Sequence, residues 1–224
     1  MKKTLLATSI LALTAAAPAV HAYQAGDVIV RGGVATVQTN ESTSGVVLDG
    51  TDLGGKASIN NDTQLGLNFA YMLDSYWGVE LLAATPFKHD VKTSGTKDGD
   101  ADLKLGSFKH LPPVLSIVYY PFGNNGSAFK PYVGAGVNHT WFFDQKLSGA
   151  AKGAGFTKLE VKDSWGWAAQ IGADYMLTEN VMLNAQARYI DIDTTAYAHM
   201  GSSRAKVDVD VKPWAFMVGV GYKF

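Results

Sequence analysis

The chain contains no cysteine among its 224 residues. That absence removes disulfide scaffolds, thiolate metal sites, iron–sulfur centres and cysteine nucleophiles together. Charge is scarce as well: Asp, Glu, Lys and Arg make up 17% of the chain, where about 25% is usual in a soluble domain. A formal net charge of −1 excludes a strongly basic nucleic-acid binder. Beyond the N-terminal segment no stretch reaches the roughly 18 apolar residues of a membrane-spanning helix. Disorder does not explain the missing charge, because 47% of residues are hydrophobic and 11% aromatic. The length suits one domain.

The N-terminal segment reads as an export signal. Lys2 and Lys3 precede an apolar run from Leu5 to Ala17, followed by Pro18 and a Val20-His21-Ala22 step. A cationic start, a short hydrophobic run and a small-x-small ending predict a secretory signal peptide over 1–22, cleaved after Ala22. The functional domain is then 23–224. An exported chain without cysteine points to a bacterial envelope.

Within that domain the dominant period is two. Leu65, Leu67, Phe69, Tyr71 and Leu73 share one face, with Gln64, Gly66, Asn68, Ala70 and Met72 on the other. Trp77–Ala84, Trp165–Leu177, Val181–Ile190 and Trp214–Phe224 repeat this alternation of large apolar against small or polar residues. Such alternation specifies strands. Weaker patterns near 27–37, 111–122 and 131–143 bring the expected total to about eight strands. The connections alternate too. Asp74–Tyr76, Gly123–Lys130 and Thr178–Asn180 are short, whereas Gln38–Asp62, Lys88–Lys109, Asp144–Asp163 and Ala196–Lys206 are long and polar.

In an antiparallel meander, strict alternation puts every long connection at one end. This is the asymmetry of a transmembrane β-barrel, with short periplasmic turns and long extracellular loops. A soluble sandwich or lipocalin-like barrel is the alternative, and it would leave the surface unusually poor in charge. A lipid-facing apolar face accounts for the composition directly. Trp77, Phe87, Tyr119, Tyr120, Tyr132, Trp141, Trp165, Trp214, Tyr222 and Phe224 lie near strand ends, where interfacial girdles are expected.

Several segments together resemble the OmpW family of small outer-membrane barrels. They are Asn61–Leu67 (NDTQLGL), Gly78–Phe87 (GVELLAATPF), His110–Pro113 (HLPP), Pro131–Asn138 (PYVGAGVN), Asp163–Gly166 (DSWG), Tyr189–Ala196 (YIDIDTTA), Pro213–Phe216 and the Gly221–Phe224 ending. The resemblance spans essentially the whole domain. It implies an all-β, eight-stranded antiparallel barrel with a narrow, rather apolar interior that admits small hydrophobic molecules. The alkane-uptake protein AlkL is a member. It further implies a lateral route: entry from outside, then exit through the wall into lipid, because the barrel floor is closed. Leu82 occupies the family's constriction position. The facing position can carry an aromatic in the family, and here Arg188 stands before Tyr189.

Eight strands leave room only for interior side chains or one slim ligand. By parity the inward set includes Arg31, Gln64, Asn68, Glu80, Leu82, Gln170, Asp174, Gln186 and Arg188. Buried charges need partners, so Arg31 and Arg188 are expected to pair with Glu80 and Asp174. The expected polar plug is Arg31, Glu80, Gln170, Asp174 and Arg188. The expected transport lumen and gate are Leu82, Pro86, Phe87, Phe142, Arg188 and Met217. Phe224, ending an aromatic strand, is the expected signal for the outer-membrane insertion machinery.

Other signals carry less. Asp98, Asp100 and Asp102 begin like a calcium loop, but Leu103 replaces the turn glycine and Lys109 the bidentate acid. Gly134-Ala135-Gly136 lacks the strand–loop–helix context of a phosphate cradle. Asn138-His139-Thr140 is a glycosylation sequon, discounted in a strand of a bacterial protein. The five histidines show no metal-ligand spacing. His89, Asp90 and Ser94 could be forced into a catalytic triad, but proximity in sequence is not geometry. Lys88, Lys92, Lys97, Lys104 and Lys109 could meet lipopolysaccharide phosphates. The expectation is therefore a monomeric passive channel with no enzymatic activity, cofactor, metal or nucleic-acid partner. Its partners would be outer-membrane lipid, lipopolysaccharide and a small hydrophobic ligand. The alternative is a structural or receptor barrel whose loops bind phage, toxin or host surfaces.

Overall fold

The computed structural model describes residues 22–39, 41–52, 54–96 and 103–224. The expected signal segment before Ala22, Lys97 and the acidic run Asp98, Asp100 and Asp102 lie outside these residues, as does the side chain of Ser94. In chain order the elements are β1 (Val28–Gln38), β2 (Glu41–Thr43), β3 (Val47–Leu48), β4 (Thr51–Asp52), β5 (Gly54–Ile59), β6 (Asp62–Met72), β7 (Trp77–Ala84) and β8 (Phe87–Thr96). They continue with β9 (Leu103–Leu111), β10 (Val114–Tyr119), β11 (Phe129–Leu147), α1 (Gly149–Gly153), β12 (Lys158–Val161), β13 (Ser164–Met176), β14 (Val181–Ile190), β15 (Ile192–Met200), β16 (Ser203–Val211) and β17 (Trp214–Lys223).

Eight of these strands close a barrel in the order β10-β7-β6-β1-β17-β14-β13-β11, with β11 pairing back to β10. Every pairing is antiparallel, and β1 joins β17 over ten residue pairs from Ile29↔Lys223 to Gln38↔Trp214. Closure leaves this part of the chain without a free edge. The outward face holds the large apolar residues, with Leu65 65% exposed, Val218 66% and Trp165 72%. Exposure of that size is costly in water and favourable in a bilayer, where every backbone group of a closed barrel is already paired. Trp77, Tyr71, Tyr175 and Tyr222 border one rim of the belt, while Trp141, Trp165, Trp167 and Trp214 border the other. Three residues expected in the girdles turn inward instead: Phe87, Tyr120 and Tyr132 are buried.

The long connections are largely sheet rather than loop. β8 and β9 form a hairpin that extends β11, with β5 on its outer edge. β15 and β16 form another, flanked by β12, β3 and β4, with β2 also pairing β16. Their alternation is inverted. Val207, Val209 and Val211 point into an apolar core, while Lys206, Asp208 and Asp210 lie on the other face. Above the bilayer the outside is water, so the charged face turns outward. Asp144 takes a left-handed φ of 52° where the β11–β9 register shifts between Phe143 and Lys146.

Candidate functional site: a layered lumen

The barrel interior is filled in layers. Next to the short turns, Tyr23, Ile29, Met72, Tyr120, Tyr132, Met176 and Met182 pack together, each at most 1% exposed. This is the floor of the barrel, packed from side to side with tyrosine and methionine. Gly172 belongs to it: a Cβ there would come within 2.4 Å of Cζ of Tyr132, so the tyrosine ring needs the missing side chain.

Above the floor sits a polar layer. The Arg31 guanidinium grips Asp174 as a fork, with Nε donating to Oδ1 at 2.9 Å and Nη2 to Oδ2 at 2.5 Å. Arg31 also donates to Asn68 Oδ1 at 3.0 Å, Glu80 Oε2 at 3.3 Å and Tyr120 Oη at 2.9 Å. Tyr23 and Asn184 donate to the same Asp174 carboxylate. Glu80 accepts from Arg188 Nη2 at 2.6 Å and from Gln170 Nε2 at 2.8 Å. Arg188 Nη2 donates to Gln170 Oε1 as well. The structure thus joins all five expected plug residues, two cations and two anions among them, and recruits Asn68, Tyr120 and Asn184. Buried charges persist only when paired in this way.

Over the polar layer lies an apolar cavity of about 30 Å³, lined by Ala35, Val37, Leu82, Ala84, Phe87, Pro112, Gln186, Arg188, Ile190, Ala215, Phe216 and Met217. Four expected lumen residues, Leu82, Phe87, Arg188 and Met217, meet at its wall. Two do not. Pro86 is exposed, because Thr85 and Pro86 fall in the break between β7 and β8, where strand parity no longer carries across. Phe142 is half-buried one level higher, ring centroids 5.8 Å from His110 and 5.4 Å from Phe108. Gln64 is half-buried and donates to Asp62 at 2.9 Å. Phe224 is 69% exposed beside Tyr222, and its N–H donates to the Val28 carbonyl at 2.8 Å.

That higher level holds a cluster that the sequence does not announce. His89 and His110 are buried with their Nε2 atoms 3.2 Å apart, and His89 Nδ1 lies 2.6 Å from the Asn60 carbonyl oxygen. They come from adjacent strands, so only the β8–β9 register reveals the pair. Of the three triad candidates, His89 faces His110 and Asp90 binds Lys104 at 2.6 Å, while the side chain of Ser94 lies outside the described residues. Outside, Lys109 and Lys146 both bind Asp144, at 2.9 and 2.8 Å. Hydrogen bonds from Lys146 and Lys109 lower the Asp144 pKa to about 2, and those from Lys162 and Lys158 lower Glu160 to about 2. Asp191, Asp193 and Asp210 gather on the outer wall with carboxylate oxygens within 4.8 Å of one another.

A closed eight-stranded barrel, apolar outside and plugged inside, is an outer-membrane β-barrel by architecture. The OmpW family profile matches residues 24–224. The chain is 44% identical over 224 residues to outer membrane protein W of Vibrio cholerae, covering 100% of both chains. It is 29% identical over 203 residues to outer membrane protein AlkL of Ectopseudomonas oleovorans, covering 90% of this chain and 84% of that one. The crystal structure of OprG from Pseudomonas aeruginosa superimposes with a TM-score of 0.86 at 48% identity, over 92% of this chain and 99% of that one. AlkL in lipid bilayers gives 0.68 at 26% identity, over 100% and 97%. The chain belongs to the OmpW family and resides in the bacterial outer membrane.

Proposed function

We propose that the protein is a passive channel for small hydrophobic molecules, which enter from the extracellular side and leave sideways into the lipid. The observation that carries this reading is the apolar cavity held between a packed floor and a break in the wall. Downward passage would require crossing the charge-balanced polar layer and the tyrosine–methionine floor. Sideways, the β7–β10 ladder runs from Trp77↔Tyr119 to Leu82↔Val114 and stops. Continuing that register sets Ala83 opposite Pro113 and Ala84 opposite Pro112. Proline has no N–H to give a ladder, and Thr85 donates instead to Leu65 on β6. Ala84 and Pro112 both line the cavity, so the unzipped wall and the chamber adjoin.

Such a route needs no cofactor, metal or energy source. Moving apolar surface from water into lipid supplies roughly 25 cal/mol per Å². In the same reading the barrel works as a monomer without catalysis. Lysines above the outer girdle, Lys88 and Lys109 among them, meet lipopolysaccharide, and the terminal aromatic strand with Phe224 is read by the insertion machinery.

The test is uptake of a medium-chain alkane by cells lacking the protein, expressing it, or expressing Leu82→Arg, with insertion checked by heat-modifiable gel mobility. The native chain is expected to speed uptake and an inserted Leu82→Arg barrel to abolish the gain. Equal uptake in all three strains would remove the transport reading and favour loop-mediated binding.

A further inference from the structure

The floor is not built by the barrel strands alone. Tyr23 is completely buried in it, yet it precedes β1, on a segment, 22–27, that lies outside every ladder. Around the barrel, β1 stands three strands from β10 one way and four from β11 the other. The β10–β11 turn therefore lies across the mouth from β1, and the Tyr23 N–H donates to the Gly123 carbonyl in that turn at 2.7 Å. The segment is a strap over the short-turn mouth, which is the periplasmic one.

A turn shapes the strap. The Asp27 N–H donates to the Gln24 carbonyl at 3.2 Å, the Gln24 N–H to Asp27 Oδ2 at 3.0 Å and the Gly26 N–H to the Met72 carbonyl at 2.9 Å. Gly26 takes a φ of 95°, which residues with a Cβ rarely adopt. Gln24, Ala25 and Gly26 are exposed, while Tyr23 turns inward. Its hydroxyl donates to Asp174 Oδ2 at 3.0 Å, its ring meets Tyr120 edge-on at 5.2 Å, and Lys130 Nζ sits 4.8 Å from its centroid. Asp174 and Tyr120 are themselves partners of Arg31, so Tyr23 lies between the strap and the charged layer.

We propose that Tyr23 is the stopper of the periplasmic mouth: the strap holds its ring beneath the Arg31–Asp174 pair and keeps periplasmic water and ions from that layer. Attraction within such a pair is strong in a dry site and screened in a wet one. The stopper goes beyond the transport reading and stands without it, because a barrel that only binds at its loops would carry the same seal.

The experiment uses the folded barrel in lipid nanodiscs and reads solvent exchange of the Arg31 Nε–Hε proton by ¹⁵N NMR. Arg31, Arg188 and Arg204 are the arginines of the chain, so Arg188→Lys and Arg204→Lys assign the resonances. Tyr23→Ala is expected to speed Arg31 exchange by roughly tenfold or more, since exchange then needs a smaller opening. Backbone amides of β1, β13 and β14 should keep their protection, which a general loss of stability would not allow. Tyr23→Phe keeps the ring and drops the hydroxyl, and should stay nearer the native rate. Gly26→Val acts from outside. A Cβ there would meet no atom within 4 Å, so the substitution strains only the strap and should speed Arg31 exchange with every floor side chain in place. It also carries the test if Tyr23→Ala inserts poorly. Arg31 exchange as slow in an inserted Tyr23→Ala barrel as in the native one would overturn the proposal, as would an acceleration matched by the strand amides. Unchanged exchange in Gly26→Val would overturn the strap's part in the seal.

Discussion

Arg31 and Arg188 share one lumen, one layer and one carboxylate, Glu80, yet they are held differently. Arg31 is wholly enclosed and is held by Asp174 through a two-point fork, with Asn68 and Tyr120 completing its shell. Arg188 stands at the boundary where the polar layer meets the apolar cavity, anchored through a single nitrogen. A charge surrounded by partners closes a channel. Arg188 instead lines the apolar cavity with carbon and makes its hydrogen bonds through Nη2. Burial alone does not distinguish the two, because both are almost fully enclosed; the count of satisfied donors does.

Substitution should separate them. Arg31→Met is expected to have the largest effect, because it strands Asp174 among buried groups, and breaking such a pair costs about 3–5 kcal/mol. Equilibrium unfolding of the refolded barrel in guanidinium would register the loss, and planar-bilayer conductance should show ion leak through whatever barrel still forms. Arg188→Met should cost less, about 1–3 kcal/mol, since Glu80 keeps its bonds from Arg31 and Gln170. Equal losses at the two positions would erase the distinction.

Gly172→Ala tests the floor beneath both arginines. Its Cβ must displace the Tyr132 ring, which receives a hydrogen bond from Asn184 at 2.9 Å. The expected cost is about 1–3 kcal/mol, read as a lower unfolding midpoint with the outward belt unchanged. The smallest effect belongs to the extracellular sheets. Asp144 and Glu160 have pKa values held down near 2 by their lysines. A carboxylate whose folded pKa is depressed stabilises the fold above its unfolded pKa and loses that stabilisation as pH falls through the folded value. Asp144 is exposed and Glu160 half-buried at the surface, so the contribution is modest. Amide protection relative to the intrinsic exchange rate in β9, β11 and β12 should fall between pH 5 and pH 2, while the barrel strands keep theirs.

How much of this was readable beforehand depended on which side of each strand faced lipid. Leu65, Leu67 and Phe69 against Gln64, Gly66 and Asn68 gave β6 plainly, because an apolar solvent outside writes large residues onto that face. The same periodicity in β16 carries no lipid-facing signature, since Val207 and Val209 point inward there and the outer residues are Lys206 and Asp208. The polar layer was legible from charge and parity: four buried ions on inward positions have few ways to neutralise one another. Pro86 was misplaced because parity does not survive a strand break. The His89–His110 contact needed a register between strands 21 residues apart in sequence, and the unused donors of Arg188 needed coordinates.

The central claim is that cargo leaves through the wall where β7 parts from β10. The most direct measurement is flux of a hydrophobic probe into proteoliposomes through an Ala83→Cys/Pro113→Cys barrel, oxidised and then reduced. The chain has no native cysteine to interfere. Lateral exit predicts that the disulfide abolishes barrel-dependent flux and that reduction restores it. Flux unchanged by the staple, in a barrel shown to be fully cross-linked, would contradict the lateral route.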